Sequence, residues 1–345
     1  MAVKTSWYEN DSRFIPGHYQ PATLIDLGLF RDIDSHRLLR GTGLFHEDIL
    51  AGNARLSPQQ FLGLIGNSRR LLDADDSSFL FGQRLLPGYY GAASHALGHA
   101  QNLHQALDIL IQQQVLLSPL ATLQLELDEH HAYLYWLDSC GAGEHWRFVL
   151  EASMTSLVAM SQWLSGQRLP WVCSFSHAEP RYVEQYWVHL GEHTRFERPL
   201  DMMCLPREYL THIWPGASAT AGQVARQQAL EQIEQLGFAT SFLDCLYAYL
   251  REHVRQPPSL EQAAHTFAMS PATLKRKLQR HDTGFQQQVD RVRKHVALHL
   301  YQAKGWSNEQ VAAYLSFNDA ANFRRSFKRW TGSTPNLIRQ LFSSR

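Results

Sequence analysis

Hydrophobic positions recur at helical spacing in the first part of the chain and then change to strand-like runs. Apolar side chains follow steps of three and four residues through 58–72 and 102–117, which predicts two amphipathic helices. Two short runs rich in leucine and aromatic residues, 121–127 and 132–137, then flank a polar turn at 128–131. This pattern predicts a β-hairpin.

The pattern changes again after the hairpin. A long helix is predicted over 145–165, followed by strand-like pieces at 172–176 and 194–205 on either side of a helical stretch at 181–190. Helices and strands in this mixed order predict an α+β domain rather than a βαβ repeat.

Residues 222–254 are amphipathic, and Gly237 is predicted to interrupt them. Pro257 and Pro258 close this segment, because proline does not continue a helix and pushes the preceding residue towards extended geometry. We therefore predict an α+β effector-binding or oligomerisation domain over 1–240, a linker over 241–258 and an all-α domain over 259–345. The 222–254 segment either links the domains or forms a dimer seam.

The predicted all-α domain contains an internal repeat. The run SLEQAA from Ser259 recurs as SNEQVA from Ser307, and in both copies glutamine follows serine by three residues. This spacing is a capping box, in which two side chains satisfy the free amides of a helix start. Each copy is therefore predicted to open a helix.

A turn and a second, basic helix follow in each copy. The turns are 267–270 and 315–318; Ser270 before Pro271 caps the next helix in the first copy, and Asn318 with Asp319 can do so in the second. Apolar pairs four residues apart face the core and turn the basic residues outward; they are Leu274 with Leu278 and Phe323 with Phe327. These are two helix-turn-helix units, which present a helix to the DNA major groove.

Apolar residues at helical spacing between the copies predict one continuous helix over 285–303. Such a helix holds the two units at a fixed separation. For both to enter one face of a DNA duplex, they must lie roughly 34 Å apart.

The formal charge is zero overall but divides unevenly along the chain. Residues 251–345 hold 16 Lys and Arg against 6 Asp and Glu, and residues 1–250 hold the remaining 16 and 26 of the 32 and 32 in the chain. The parts therefore carry +10 and −10. A basic domain joined to an acidic one is typical of a nucleic-acid-binding protein.

Segment 259–340 resembles the DNA-binding domain of the AraC/XylS family of bacterial regulators. The resemblance is carried by AAYLSF from Ala312, FRRSFKRW from Phe323 and GSTP from Gly332. Ser316 and Ala268 stand where the family usually has glycine; both are small and leave the predicted fold unchanged.

Much of 20–210 resembles the long N-terminal domain of the ornithine-utilisation-regulator type, rather than the sugar-binding jelly roll of the family's namesake. The runs LLRGTG from Leu38, LGHA from Leu97 and LHQAL from Leu103 carry this resemblance. It implies an effector or assembly domain and names no ligand.

Matching the family's recognition helices onto this sequence implies the DNA contacts. The predicted base-facing residues are Ala272, Lys275, Arg276, Ala320, Ala321, Arg324 and Arg325. Arginine suits guanine O6 and N7, whereas alanine contacts only thymine methyl groups. The residues predicted to contact phosphates, which give affinity and salt dependence, are Lys277, Arg280, Lys328 and Arg329.

These features predict a sequence-specific transcription regulator controlled by a small-molecule effector. The expected partners are double-stranded DNA, the effector, a second copy of the chain and, if the protein is an activator, RNA polymerase. The apolar runs are too short to span a bilayer, and residues 1–13 are polar without a signal-peptide core. We therefore expect a cytoplasmic, nucleoid-associated protein.

No enzyme, cofactor or metal site is predicted. Four isolated cysteines, Cys140, Cys173, Cys204 and Cys245, form no CxxC pair. His95 and His99 have the spacing of two metal ligands on a helix, but Ala96 stands where a zinc hydrolase has glutamate. The alternatives are a ligand-independent dimeric DNA-binding protein and an enzyme fused to the DNA-binding domain, as in alkylation-repair proteins with a methyl-accepting cysteine.

Overall fold

The computed structural model describes residues 6–343 of the 345-residue chain, with side chains as far as Gln340. All strands in this described part precede residue 207, and every element from Ala219 onwards is an α-helix. A mixed α/β part followed by an all-helical part confirms the predicted fold class. None of the helices in the described range combines the length and apolar character needed to cross a membrane.

The strands of residues 6–343 form two antiparallel sheets. Their bounds are β1 (Ile15–Pro16), β2 (Arg55–Leu56), β3 (Ala121–Leu127), β4 (His131–Asp138), β5 (Val172–Ser174) and β6 (Met202–Pro206). β1 pairs with β2, and the larger sheet has the order β3-β4-β6-β5. β4 and β6 are therefore the inner strands of the larger sheet.

The predicted hairpin is confirmed as β3 and β4, in a register that places Leu125 opposite Leu134. The Asp128 carboxylate closes the turn by accepting the backbone N–H groups of His130 and His131 at 2.8 and 2.6 Å. The strand predicted over 194–205 is right only in part, because β6 begins at Met202 and the preceding stretch contributes one isolated bridge.

Eleven α-helices belong to the described mixed part. They are α1 (Gln20–Leu29), α2 (Ser35–Leu39), α3 (His46–Leu50), α4 (Pro58–Leu72), α5 (Ser77–Leu85), α6 (Ala92–Gly98), α7 (Leu103–Gln112), α8 (Gln114–Leu117), α9 (Trp146–Ser165), α10 (Val183–Leu190) and α11 (Ala219–Leu236). Short 3₁₀ helices occupy Gly143–His145 and Arg207–Thr211.

The strongest periodic segments became helices as predicted. α4 spans the predicted 58–72, opened by a capping box between Ser57 and Gln60, and α9 spans nearly all of 145–165. The predicted helix over 102–117 is instead two helices, because the backbone leaves helical geometry at Gln113. α5 packs closely against α9 at Gly82, where a Cβ atom would lie 2.6 Å from the Ala152 carbonyl oxygen.

Seven further helices form the all-helical part. They are α12 (Phe242–Glu252), α13 (Leu260–Thr266), α14 (Pro271–Arg280), α15 (Phe285–Lys304), α16 (Asn308–Tyr314), α17 (Ala320–Thr331) and α18 (Pro335–Ser343). α15 confirms the predicted connecting helix. Its buried residues, among them Val289, Val292 and Leu300, share one apolar core with the helices on either side.

Strand β4 lies between the two apolar cores of the protein. Leu134 and Trp136 belong to the core of the mixed part, whereas Tyr135 and Leu137 belong to the core of the helical part. Successive side chains of a strand point to opposite faces, so this single strand supplies side chains to both cores.

The amphipathic region 222–254 is two helices that separate at Gly237, as predicted. Gly237 ends α11 in the left-handed conformation, with a φ of 78°. The apolar stripe of α11 is buried against α6, while α12 packs on α15 in the second core. The stretch predicted as a linker thus includes an ordered helix, and the exact domain boundaries stay a prediction.

Candidate nucleic-acid interface

The first helix-turn-helix unit consists of α13, a tight turn and α14. The predicted capping box is present, with the Ser259 hydroxyl accepting the Gln262 amide and the Gln262 side chain accepting the Ser259 amide. Ala268 in the turn has a φ of 54°. Ser270 caps α14 by accepting the Thr273 amide at 3.1 Å, and Pro271 occupies the first position.

The second unit, α16 and α17, repeats this construction. Ser307 and Gln310 form its capping box, and Ser316 occupies the turn with a φ of 57°. Asp319, rather than Asn318, caps α17 by accepting the Asn322 amide at 2.7 Å. The two turns therefore keep the left-handed geometry without glycine, at positions where it is unfavourable for most residues.

The apolar pairs of both second helices face the shared core as predicted. Leu274 and Leu278 of α14 and Phe323 and Phe327 of α17 are each at most 1% exposed. Because the pairs are four residues apart, they anchor one stripe of each helix and leave the opposite side outward.

The residues predicted to face the bases all lie on that outward side. Those of α14 are Ala272, Lys275 and Arg276, those of α17 are Ala320, Ala321, Arg324 and Arg325, and all are exposed. Exposure is required for a base contact but does not establish one, so their assignment to bases stays a prediction.

The residues predicted to contact phosphates are not equally available. Lys277 of α14 is paired with Glu9 and lies 5.7 Å from the Phe242 ring centroid. Arg280 lies 3.8 Å from the Asp11 carboxylate. A phosphate contact by Lys277 thus requires this ion pair to open.

The corresponding residues of α17 face a different environment. Lys328 is exposed, and Arg329 donates two hydrogen bonds, of 3.2 and 3.1 Å, to the Asp290 carboxylate of α15. Asp290 belongs to the helical part itself, whereas the partners of α14 belong to the start of the chain.

Sequence reasoning did not find that the start of the chain covers the first unit. Trp7 packs against Phe242 and Phe267, with ring centroids 5.7 Å away in both cases. The Asn10 side chain donates to the Arg280 carbonyl at 2.5 Å. No periodic pattern marks residues 7–11; an acidic pair near an aromatic residue was the only available signal.

His281, which follows α14, lies at the contact between the first unit and the mixed part. The Nδ1 atom of His281 donates to the Cys140 carbonyl at 3.1 Å, because that carbonyl can only accept. Burial lowers the pKa of His281 below its usual 6.5, although Glu9, Asp138 and Asp11 oppose the shift. His281 therefore favours the neutral form in the folded protein.

A second group of polar side chains, most of them half-buried, joins the hairpin to α12 and α15. Glu126 of β3 pairs with Arg251, and His299 lies 3.6 Å from the Glu126 carboxylate. Tyr247 is hydrogen bonded to His295 Nδ1 at 2.9 Å. Burial, together with neighbouring cations, lowers the pKa of His295 well below 6.5.

The cysteines have no disulfide partners within the described residues. Burial raises the pKa of the Cys140, Cys173 and Cys245 thiols. The raised pKa favours the protonated form of these thiols. Among residues 6–343 no group of three or more His, Cys, Asp or Glu side chains has an arrangement that suits a metal ion. His95 is exposed and His99 is half-buried.

Two helix-turn-helix units on a basic helical part, joined to a mixed α/β part, define a DNA-binding regulator. The model of the arabinose-binding N-terminal domain of the AraC transcription regulator matches residues 33–212, and a helix-turn-helix domain model matches 263–340. The chain belongs to the AraC family of transcription regulators.

Two relatives and one solved structure are similar to this chain. The ornithine utilization regulator of Pseudomonas aeruginosa is 28% identical over 330 residues, covering 95% of this chain and 97% of the relative. The transcriptional activator RhaS of Escherichia fergusonii is 36% identical over 100 residues, covering 28% of this chain and 36% of its own. The crystal structure of the regulator CdpR from Pseudomonas aeruginosa is similar over 93% of this chain and 98% of its own, with 18% identity and a TM-score of 0.43.

Proposed function

We propose that this regulator recognises a specific DNA site by inserting α14 and α17 into the major groove. The observation that carries this proposal is the pair of matched units, each with its capped second helix and outward arginines. In this proposal Arg276, Arg324 and Arg325 contact bases, and the exposed alanines lie against thymine methyl groups. Lys275 extends the same outward surface.

The proposal assigns a phosphate contact to Lys328 directly, and to Lys277, Arg280 and Arg329 after their ion pairs open. These residues supply affinity that depends on salt rather than on sequence. The charge of +10 over residues 251–345 supports this role, because each phosphate contact releases condensed counterions.

We further propose that a small-molecule effector acts on the N-terminal domain, with residues 1–240 as this domain and 259–345 as the DNA-binding domain. The match to a family model described as arabinose-binding supports a ligand-binding domain without naming its ligand. The ordered helix α12 then belongs to the connection, as a rigid rather than a flexible element.

The remaining parts of the proposal concern assembly and location. The chain acts as a homodimer through its N-terminal domain or the 222–254 segment, contacts RNA polymerase if it activates, and works in the cytoplasm where bacterial DNA lies. It has no enzymatic activity; the relatives named as regulators and the buried thiols support this over a methyl-accepting enzyme. A monomeric sedimentation profile at micromolar concentration would contradict the dimer.

The test is binding of the full chain to DNA from upstream of its own gene, against a scrambled competitor. Arg276→Ala and Arg325→Ala should each weaken specific binding about 5- to 150-fold, as expected for the loss of a bidentate base contact. Arg37→Ala, which removes an exposed arginine from α2, is the matched control and should leave binding unchanged.

Two outcomes contradict the proposal in different ways. Equal binding of the native protein to both DNAs would leave only a basic surface. An equal loss of binding to both DNAs in the arginine variants would assign these residues to phosphates instead of bases.

A further inference from the structure

The mixed part contains a cavity between its helices and the inner face of the hairpin. One side of the cavity is formed by helices α1, α4, α5, α7 and α9, and the other side is formed by strands β3 and β4. Most of its wall is aliphatic or aromatic; Phe61, Phe81, Leu110, Leu123 and Trp136 contribute, and each is at most 9% exposed.

No acidic, basic or histidine side chain is among the residues that line this cavity, all of which the structure describes. A zwitterionic amino acid would lose its hydration there and gain no countercharge, which is strongly unfavourable. A sugar would leave most of its hydroxyl groups without partners. The lining therefore favours a neutral ligand with few polar groups.

The side-chain donors of the serine and glutamine residues in the lining are already engaged. Ser118, Ser153 and Ser156 donate their hydroxyl protons to nearby carbonyls at 2.6 to 2.8 Å. Gln20, which is 3% exposed, donates its side-chain amide to the Leu116 carbonyl at 2.7 Å and the Leu117 carbonyl at 3.3 Å.

The carbonyl oxygen of the Gln20 side chain has no hydrogen-bond partner within the described residues. Its orientation is determined, because two backbone carbonyls can only accept and must face the NH₂ group. A buried acceptor without a donor is rare in folded proteins. Gln20 thus offers one acceptor to a molecule in the cavity.

The size of the cavity limits the size of such a molecule. Its volume is about 60 Å³. By the same measure one water needs roughly 10–15 Å³, so the cavity has room for about four to six water-sized groups, or an unbranched chain of about four to six heavy atoms.

We propose that this cavity binds a neutral, mainly aliphatic molecule of about that length which carries one hydrogen-bond donor for Gln20. This inference names the effector class and so rests on the proposed effector control. It distinguishes this chain from its relative named for ornithine utilization and from the arabinose of its family model.

The position of Trp136 connects the cavity with the DNA-binding part. The same residue also lines a second cleft, formed together with His281 and Lys294 of the helical part. Its neighbours along β4, Tyr135 and Leu137, pack in the second core. A ligand that displaces Trp136 therefore acts on the strand that joins the two cores.

Calorimetric titration of the full chain with two isomers of one formula tests the site. 1-Pentanol has a donor, whereas methyl butyl ether has the same atoms and none. The native protein should bind pentanol about 2- to 12-fold more tightly than the ether, which is the effect of one hydrogen bond. Equal affinity for both isomers would remove the role of Gln20.

Two variants separate the hydrogen bond from the cavity. Gln20→Met should abolish the preference for pentanol, while Gln59→Met, at an exposed glutamine of α4, should keep it. Ser156→Leu fills the cavity and should weaken binding of both isomers, without removing a hydrogen bond that other residues need. An unchanged affinity in Ser156→Leu, with native-like unfolding, would place the binding elsewhere.

L-Ornithine and L-arabinose are the competing probes, and DNA affinity is a separate measurement. Absence of pentanol binding, or displacement of pentanol by either polar compound, overturns the inference. Pentanol binding without any change in affinity for the upstream DNA supports the cavity assignment and contradicts effector control. A change of DNA affinity with ornithine or arabinose alone supports effector control and overturns the apolar site.

Discussion

The two helix-turn-helix units have nearly the same local construction but different surroundings. Each has a serine-glutamine capping box, a turn with a left-handed residue and a capped basic helix. In the first unit, Lys277 and Arg280 face Glu9 and Asp11 from the start of the chain. In the second, Lys328 is exposed and Arg329 pairs with Asp290 of the neighbouring helix.

This difference shows that a repeated sequence motif does not make the basic residues of both units equally available to DNA. The start of the chain neutralises part of the basic surface of α14, whereas within the described residues no segment of the mixed part forms an ion pair with α17. Ion pairs therefore couple the first unit to the N-terminal part, whereas the ion pair of the second unit lies within the helical part.

The largest expected effect concerns the core that both units share. Phe327→Ala should lower the free energy of unfolding by about 3–5 kcal/mol, and Leu278→Ala at the corresponding position of the first unit by about 2–5 kcal/mol, because both side chains are fully buried. Denaturant titration measures both, with the exposed Ala313→Ser as control. A loss of under about 1 kcal/mol in either would mean that this unit lacks a packed core.

The pH dependence of protein stability should distinguish the two units. The sequence contains no histidine after residue 305, so the second unit has none. Burial lowers the pKa of His281 in the folded protein. The stability that the neutral His281 side chain contributes is therefore complete above pH 6.5. It is lost as the pH falls below 6.5, because the unfolded chain then takes up a proton that the folded chain does not. The slope from one such group is at most about 1.4 kcal/mol per pH unit.

Thermal unfolding of His281→Asn between pH 7.5 and 5.5 measures this contribution. Asparagine keeps a donor for the Cys140 carbonyl but does not titrate, so the variant should lose less stability on acidification than the native protein. Identical pH profiles would assign the acid sensitivity to other groups, such as His295.

The ion pairs of the two units can be opened separately. Glu9→Gln should free Lys277, raise DNA affinity and steepen the dependence of log affinity on log salt by about 0.9, which is the value for one phosphate contact. Asp290→Asn is the corresponding variant of the second unit, because it removes the ion-pair partner of Arg329. If Glu9→Gln leaves the salt slope unchanged, Lys277 makes no phosphate contact.

The smallest expected effect lies in the turns. Ala268→Gly and Ser316→Gly relieve a left-handed backbone at a non-glycine residue, worth about 1–2 kcal/mol, but add about 0.4–1 kcal/mol of unfolded-state entropy. Each should therefore stabilise the protein by roughly 0.5–1 kcal/mol, measured by chemical unfolding. Destabilisation in only one unit would show that its turn is held by contacts that the other lacks.

Local patterns predicted the elements well. The capping boxes at Ser259 and Ser307 join residues three apart, and the helical periodicities of α4, α9 and α15 reflect a single buried stripe. Such features depend on neighbours within one or two turns, so the sequence displays them directly. The predicted helix over 102–117 was wrong at Gln113 because periodicity does not reveal a break between two buried helices.

The sequence by itself determined the two helix-turn-helix units, their caps, the outward position of the arginines and the basic charge of this part. Only the tertiary structure decided that Lys277 pairs with Glu9, 268 residues away, that β4 serves two cores and that Gln20 keeps a free acceptor beside an apolar cavity. The physical reason is range: hydrogen bonds and periodicity within a helix are local, whereas ion pairs and cavities depend on which distant segments the packing brings together.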